Sequence, residues 1–377
     1  MAKVLLVLGN GFDLACGLES SFKNYLKSEY YRAFRDCVSS VNKFITNTLA
    51  SSSVIPPQNT DTLSTLFRKL TFWDLYFAIP MVENFSDIKL WYDFEKKLRG
   101  FLTSIHTRGE SEYLEIDTTS WSVAEQRVKR EKEATYYLAL RLYLDFVTNS
   151  TGQKDLNRRK VYEVLFDDLK KYEGNFGKYI SSQQTIHLDY IVNAQSLIEK
   201  LLSDRDDELA YINTFNYSDL SKASSGTAVW HINGDAECPI FGVDYKEIGI
   251  EDSRYKYTKT FRRLELNGKS HTLCNPDDKD YSKVIVFGHS LNEQDYNYFF
   301  ALFNRLNLSN ERGRRKGYTI EFAYSPHDGQ TSEEARVKIM TKALGVLQSY
   351  NEEILHEKGF RLMDILYFSG AIKFREV

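Results

Sequence analysis

Residues 4–14 read VLLVLGNGFDL, and this stretch decides the fold. Residues 4–8 are all apolar, and the sequence Gly-Asn-Gly ends the run at once. A short run that is apolar on both faces is typical of a strand in the middle of a parallel sheet, because helices cover both faces of such a sheet. We therefore predict a β-strand at residues 4–8, followed by a tight turn and a helix at residues 19–36.

The remaining strand signals come late in the chain. Apolar and β-branched runs predict further strands at residues 210–215, 228–232, 239–243, 284–287 and 319–324. Helical spacing of apolar residues predicts helices at residues 293–305 and 331–347. Strands that alternate with helices indicate an α/β fold, so we expect a mainly parallel, Rossmann-like sheet flanked by helices.

Residues 60–205 show no strand signal, and their apolar residues recur at the spacing of a helix face. A loop-like stretch of serine, proline, asparagine and threonine precedes this region at residues 50–60. We therefore predict a Rossmann-like nucleotide-binding core formed by residues 1–50 and 206–377. Residues 51–205 are predicted to form a helical insertion or lobe.

Composition narrows the class of protein. Lysine and arginine number 49 and aspartate and glutamate 52, so the net charge of −3 does not suggest a dominant polyanion-binding role. The four cysteines form no CxxC pair and no zinc-like cluster, which predicts reduced thiols and no metal site. No apolar run approaches the roughly 20 residues of a membrane span. We expect a soluble, cytoplasmic protein without a membrane partner.

The first candidate site is the turn after the first predicted strand, which comprises Gly9, Asn10, Gly11, Phe12 and Asp13. Glycines in such a turn let a phosphate approach backbone amides, and the start of the next helix favours its negative charge. Asp13 would lie where a side chain meets a ribose. The alternative is a strand-to-helix turn that needs glycine only for its backbone angles.

Two further candidates follow predicted strands, where open α/β sheets bind their ligands. Asn216, in the sequence TFNY, offers two donors and one acceptor group, and its alternative role is to cap a turn. His231 begins the sequence HINGD, which includes Gly234, and is a candidate general base. The alternative for His231 is a structural histidine. We favour the functional interpretation because several such motifs converge at strand ends.

The fourth candidate is the sequence GHSLNEQD, which follows the strand predicted at residues 284–287. Gly288, His289 and Ser290 are placed to bind a second phosphate or a ribose, and Asp295 lies in the first turn of the next helix. Ser290 or Asn292 otherwise caps that helix, and capping is compatible with ligand binding.

Two weaker candidates lie outside the strand ends. Glu95 falls in an apolar helical stripe, so it is either a site residue or a buried hydrogen-bonding group. Residues 305–316 contain five basic side chains. A solvated loop is the favoured interpretation of this run, but a nucleic acid stays open as a partner.

In their order along the chain, the motifs GNGFD, WYDFEKKL with Glu95, TFNY, HINGD followed by FGVDY, and GHSLNEQD resemble the AbiH-type family of bacteriophage abortive infection. The resemblance extends from residue 4 to about residue 325. It implies a bacterial antiphage protein that halts phage growth. A phage trigger and a homo-oligomer stay open as its partners.

The same motifs show a more distant resemblance to sirtuin-like NAD-binding domains. This resemblance implies that Gly9, Gly11 and Asp13 line the phosphates and the nicotinamide ribose. It further implies that Asn216 positions the ribose or a water and that His231 acts as a base on a ribose hydroxyl. Gly288 and Ser290 would hold the adenosine half. The remaining candidates would lie around the same ligand: Asn10, Phe12, Glu95, Gly234, His289 and Asp295.

The sequence also departs from the sirtuin pattern. Asn10 stands where sirtuins have alanine, Asn233 stands where a second histidine is expected, and Ser218 stands where an aspartate is common. The four-cysteine zinc module is absent, so deacylation of a protein is not expected. Cleavage of NAD by water needs no second substrate, and the resemblance therefore implies NAD as a substrate and no prosthetic group.

Two alternatives stay open beside an NAD-cleaving antiphage effector. The first is a metal-dependent nuclease or phosphohydrolase, which would require convergence of oxygen and nitrogen ligands from Asp13, Glu95, His231, Asp244 and Asp295. The second is a non-catalytic sensor that binds a small nucleotide at the same sheet edge. Metal dependence distinguishes the first alternative, and binding without turnover distinguishes the second.

Overall fold

The structure is a computed structural model. It describes residues 2–51, 60–83, 91–107, 124–151, 158–202, 207–244, 248–266, 281–306, 308, 318–327, 329–356 and 361–377. Most of the basic run at residues 305–316 and Cys274 lie outside the described residues.

Six parallel strands form one sheet within the described part of the chain. They are β1 (Ala2–Leu8), β2 (Asp207–Thr214), β3 (Val229–His231), β4 (Lys283–Phe287), β5 (Thr319–Tyr324) and β6 (Ile372–Glu376). Their spatial order is β3-β2-β1-β4-β5-β6, and every neighbouring pair is parallel. The expected α/β fold with a parallel sheet is confirmed, and its Rossmann-like and sirtuin-like character stays a prediction.

Helices account for most of the remaining described residues. They are α1 (Asn10–Ala15), α2 (Phe22–Lys27), α3 (Arg32–Ser51), α4 (Thr60–Phe67), α5 (Phe72–Glu83), α6 (Trp91–Thr107), α7 (Ala124–Thr151), α8 (Arg158–Ile186), α9 (Tyr190–Leu201), α10 (Lys259–Leu266), α11 (Tyr296–Arg305), α12 (Ser332–Glu353) and α13 (Arg361–Phe368). Short 3₁₀ helices occupy Ser253–Tyr257 and Glu293–Asp295.

The chain divides into two compact units. The first, called the sheet unit here, comprises residues 1–20, 177–240 and 262–377, and the second, the helical unit, comprises residues 21–176 and 241–261. A division by contacts does not test where independently folding domains begin. The predicted division into residues 1–50 with 206–377 and residues 51–205 therefore stays a prediction.

The alternation of side chains along β1 explains how the sheet unit buries both faces of its sheet. Val4, Leu6 and Leu8 point into one core cluster, which includes residues of α9, while Leu5 and Val7 point into another that includes residues of α11, α12 and α13. All five side chains are fully buried. A central parallel strand has this double burial, so the apolar run does locate the middle of the sheet.

The strand predicted at residues 239–243 is wrong. Its backbone amides bond to unrelated partners: Ile240 donates to the Asn233 carbonyl and Val243 to the Tyr257 carbonyl, while Phe241 donates to the Glu173 carboxylate. Only an isolated bridge joins Val243 to Thr258. The apolar residues of this segment are buried without a neighbouring strand, which hydrophobicity alone does not reveal.

The helix predicted at residues 19–36 is interrupted between α2 and α3. Ser28 has an extended backbone, its hydroxyl donates to the Tyr25 carbonyl at 2.6 Å, and it accepts from the Tyr31 amide at 3.2 Å. A serine that bonds to the local backbone competes with the helix in this way. Strand β6 was not predicted, because its sequence IKFRE alternates with charged residues at the edge of the sheet.

None of the described helices combines the length and the apolar composition that crossing a membrane requires.

Candidate functional site

The four sequence motifs at predicted strand ends all follow neighbouring strands of the sheet. GNGFD follows β1, TFNY overlaps the end of β2, HINGD begins at the last residue of β3, and GHSLNEQD follows β4. These strands are adjacent and parallel, so their carboxyl ends lie along one edge. The strand order reverses beside β1 at this edge, which is where open α/β sheets bind ligands.

The turns after β1 and β4 are bonded directly to each other. The amide of Gly9 donates to the Phe287 carbonyl at 3.0 Å, and the amide of Gly11 donates to the Gly288 carbonyl at 2.8 Å. Gly288 has a φ of +69°, and a β-carbon there would lie 2.3 Å from the Phe12 nitrogen. The glycines therefore serve this close approach, and their role in binding a phosphate stays a prediction.

Asp13 is the centre of a buried polar cluster. Its Oδ1 accepts hydrogen bonds from the Tyr190 hydroxyl at 2.8 Å, the Ser218 hydroxyl at 2.9 Å and Nδ2 of Asn216 at 2.9 Å. Nδ2 of Asn216 also donates to the Gly9 carbonyl at 3.1 Å. These bonds tie α1, α9 and the segment after β2 to one carboxylate oxygen.

The other acceptors of this cluster have no donor. Asp13 Oδ2 and Asn216 Oδ1 are both buried, and neither has a hydrogen-bond partner among the residues that the structure describes. A buried acceptor without a donor costs free energy, commonly about 1–3 kcal/mol. Two such atoms in one cluster therefore need a proton, a water or a ligand to satisfy them.

Burial determines the protonation of the cluster. It raises the pKa of Asp13 to about 6, although the donated hydrogen bonds, that of Tyr190 foremost, act to lower it. Burial and then the charge of Asp13 raise the pKa of Tyr190 well above its ordinary value and that of Cys16 to about 12. At neutral pH Asp13 is therefore mainly ionised, while Tyr190 and Cys16 remain protonated.

His231 is joined to the same cluster through the backbone. Its Nδ1 lies 2.9 Å from the carbonyl oxygen of Asn216. A carbonyl only accepts, so Nδ1 carries the hydrogen and Nε2 is the basic nitrogen of the neutral ring. This tautomer is compatible with a general base at Nε2.

His289 has the opposite tautomer. Its Nδ1 accepts a hydrogen bond from the Leu291 amide at 2.9 Å, so the hydrogen of the neutral ring is on Nε2. Nε2 lies 3.5 Å from Asp295 Oδ2. The ring packs edge-on against Phe215 and Phe299. The accepting nitrogen of His289 is thus occupied by the backbone.

Arg263 connects the segments that follow β3 and β4. Its guanidinium donates to the Ile232 carbonyl at 3.2 Å and to Asn233 Oδ1 at 2.8 Å, and lies 3.7 Å from Asp295 Oδ1. The buried Asp295 therefore balances the charge of Arg263 beside His289. Its predicted ligand-binding role stays a prediction.

The other predicted residues of the sheet unit have simpler surroundings. Asn10 Oδ1 accepts from the Ser20 hydroxyl at 2.6 Å, and Phe12 is fully buried edge-on against Phe287. Gly234 forms the turn after β3 with a φ of +79°, and Ser290 is exposed. Nothing in these surroundings tests the predicted ligand contacts.

Glu95 lies in the helical unit as a buried ion-pair partner. Its Oε1 is 2.7 Å from Nζ of Lys259, and both side chains are less than 5% exposed. Asp244 also belongs to the helical unit, whereas Asp13, His231 and Asp295 belong to the sheet unit. Among the described residues, no three or more histidine, cysteine, aspartate or glutamate side chains form a group that could hold a metal ion.

Sequence reasoning did not select Tyr190 and Arg263. Tyr190 lies 177 positions from Asp13 in the chain and starts α9 in an otherwise apolar helix face. Arg263 lies in the charged sequence KTFRRLEL, where any of several basic residues fits a solvated helix. No local signal distinguishes either residue, because their roles depend on partners that folding brings from elsewhere.

The fold and the site define an α/β protein with a buried polar cluster around Asp13 at the carboxyl edge of a parallel sheet. The family model described as bacteriophage abortive infection AbiH matches residues 5–313. The chain therefore belongs to the AbiH family, and its role is in antiphage abortive infection. The family resemblance inferred from the motifs is confirmed. No curated protein and no solved structure matches the chain.

Proposed function

We propose that the chain binds a nucleotide at the carboxyl edge of its sheet and hydrolyses NAD to nicotinamide and ADP-ribose during phage infection. The observation that carries this proposal is the hydrogen-bonded series of Asp13, Asn216 and His231 at the ends of three neighbouring strands. Each residue matches a place in the sirtuin-like motif series. Loss of NAD would halt phage growth by stopping the metabolism of the infected cell.

The strand order supports a nucleotide as the ligand. The order β3-β2-β1-β4-β5-β6 is the one that doubly wound dinucleotide-binding sheets use, with the ligand beside the reversal. GNGFD and GHSLNEQD flank the reversal between β1 and β4, and Asn216 and His231 follow the two strands on the other side of β1.

The chemistry assigns one role to each residue of the series. Breaking the bond between nicotinamide and ribose develops positive charge on the ribose, which the Asp13 carboxylate would stabilise. Asn216 would orient the attacking water through its Oδ1, which has no donor in the structure. His231 would accept the proton of a ribose hydroxyl at Nε2, the basic nitrogen of its tautomer, and the proton that the attacking water loses would pass to solvent.

The test measures the nucleotides of phage-infected cells by mass spectrometry. Cells express wild type, His231→Asn or the control His356→Asn, which changes an exposed histidine at a left-handed backbone position that asparagine tolerates. We expect NAD to collapse, with rising nicotinamide and ADP-ribose, in wild type and the control but not in His231→Asn. Equal abundance of the three proteins is checked in the same cells.

Intact NAD in infected cells that wild type still protects would overturn the proposal. The purified protein would then be titrated with NAD and ADP-ribose by calorimetry. Binding without turnover selects the sensor alternative. Metal-dependent loss of nucleic acid in the same cells selects the nuclease alternative.

A further inference from the structure

The contacts of Asp13 are strongly asymmetric. Three donors from two other segments converge on Oδ1, while no described residue donates to the buried Oδ2 within hydrogen-bond distance. The Ser20 hydroxyl, which donates to Asn10 Oδ1, also acts on the carboxylate and lowers its pKa. Two of the donors, Tyr190 and Ser218, also lie 2.9 Å from each other, so both hydroxyls meet at the same oxygen.

We propose that Tyr190 and Ser218 are positioning residues that hold Asp13 by Oδ1 and leave Oδ2 as the oxygen that acts on the substrate. This inference rests on the proposed function and extends it to two residues to which the motif series assigned no role. The two hydroxyls stabilise the ionised carboxylate inside the core. They also restrict its rotation, because Tyr190 is anchored on α9 and Ser218 follows β2.

The groups around Asp13 make its ionisation depend on these two hydroxyls. The titratable neighbours are Tyr190 on α9 and Cys16 at the end of α1, and both remain protonated at neutral pH. Ser218 and Asn216 contribute neutral dipoles from the segment after β2, and the Ser20 hydroxyl contributes another. Removing one hydroxyl therefore destabilises the carboxylate and raises its pKa.

The first measurement is the pH profile of NAD cleavage by Tyr190→Phe, which keeps the ring and removes one donor. The control is Tyr350→Phe, since the buried Tyr350 hydroxyl lies 2.7 Å from Asn304 Oδ1 in the other core cluster of the same unit. A rise of about one pKa unit, typical of losing a hydrogen bond to a charge, lowers activity about fivefold at pH 6 and hardly at pH 8. A loss of packing alone would lower activity equally at both pH values.

The second measurement does not depend on turnover. The difference in unfolding free energy between wild type and Asp13→Asn is followed across pH 4 to 8, and again in the Tyr190→Phe background. Burial raises the pKa of Asp13 in the folded state above its value in the unfolded state. The unfolding free energy of wild type relative to Asp13→Asn should therefore fall as pH rises toward the folded pKa and level off above it. In Tyr190→Phe the change should extend to higher pH, and in Tyr350→Phe it should not.

The outcomes separate this inference from the proposed function. A shifted Asp13 titration without NAD cleavage supports the hydroxyl contacts and overturns the NAD proposal. An unshifted titration in Tyr190→Phe overturns the inference, whatever the substrate. If Tyr190→Phe does not fold, Ser218→Ala provides the same test with a smaller change in volume.

Discussion

Asp13 in the sheet unit and Asp74 in the helical unit are two fully buried aspartates whose pKa burial raises to about 6. Their hydrogen bonds differ. Asp74 Oδ1 accepts from the Tyr31 hydroxyl at 2.8 Å, and Oδ2 accepts from the amide and the hydroxyl of Thr71 at 2.7 and 2.8 Å. Asp13 has three donors on Oδ1 and, among the described residues, none within hydrogen-bond distance of Oδ2, although the Ser20 hydroxyl also acts on the carboxylate and lowers its pKa.

The difference separates a structural carboxylate from a candidate catalytic one. Thr71 and Asp74 bond reciprocally at the start of α5, since the Asp74 amide also donates to the Thr71 hydroxyl at 3.2 Å. This capping arrangement accounts for both contacts of Asp74 Oδ2, and the Tyr31 hydroxyl satisfies Oδ1. No comparable helix cap accounts for the contacts of Asp13. A raised pKa alone therefore does not identify a site, and the unsatisfied oxygen at the carboxyl edge of the sheet is what makes Asp13 the candidate.

The largest expected effect is on activity at Asp13. Asp13→Asn keeps the shape of the side chain and removes its charge, so NAD cleavage should fall by about a thousandfold, the size typical of losing one preorganised electrostatic contact. Rates of purified or trigger-activated protein check this. Asp74→Asn serves as the control, and an equal loss of activity in that variant would contradict the distinction drawn between the two aspartates.

Asp74 should matter for folding instead. Asp74→Ala removes the helix cap and leaves the Tyr31 hydroxyl buried without an acceptor, which together cost about 2–4 kcal/mol of unfolding free energy. Urea denaturation measures the loss. The activity per folded molecule should be unchanged, and a change in it would place Asp74 in the functional machinery.

The turn that carries Asp13 depends on Gly288. A β-carbon at Gly288 would lie 2.3 Å from the Phe12 nitrogen, so Gly288→Ala should destabilise the protein by about 2 kcal/mol. Gly370 provides the control, because it has nearly the same φ, +70°, with no atom within 4 Å of the added β-carbon. Gly370→Ala should therefore lose only about 1 kcal/mol, the cost of the backbone angle. Equal losses in thermal denaturation would show that the close approach is not important.

The smallest expected effect concerns pH. Both aspartates have folded pKa values raised above the ordinary value of 3.8, so the folded state binds more protons than the unfolded state between about pH 4 and 6. Stability should therefore fall as pH rises through this range and level off above it. Asp13→Asn and Asp74→Asn should each remove about 1 kcal/mol of the fall between pH 5 and 6. If the two variants show the wild-type slope, the carboxylates are not buried in solution.

Local patterns were sufficient for much of the fold. The double-sided apolar run at residues 4–8 identified the central strand, and the strands at residues 284–287 and 319–324 agree closely with β4 and β5. The structure brings the motif residues Asp13, Asn216 and His231 together, and their roles stay predictions. Each follows a strand, and the ends of parallel strands meet at one edge.

Local patterns failed where a residue's role comes from distant contacts. The apolar segment 239–243 has the composition of a strand, but it is buried outside the sheet. Strand β6 was not predicted because its charged residues interrupt the apolar pattern. Glu95 was left open between a site residue and a buried group, and its partner Lys259 is 164 positions away in the chain.

The sequence by itself determined the class of fold, the family and the edge of the sheet where chemistry is expected. Hydrophobic patterns and strand-end motifs consist of residues close together in the chain, so they can be recognised without the structure. Only the tertiary structure decided that Tyr190 and Ser218 converge on Asp13, that the accepting nitrogen of His289 is occupied, and that one carboxylate oxygen has no donor. These features depend on distances between side chains from separate segments. Such distances are established by packing the sheet and helices together, and no spacing along the chain encodes them.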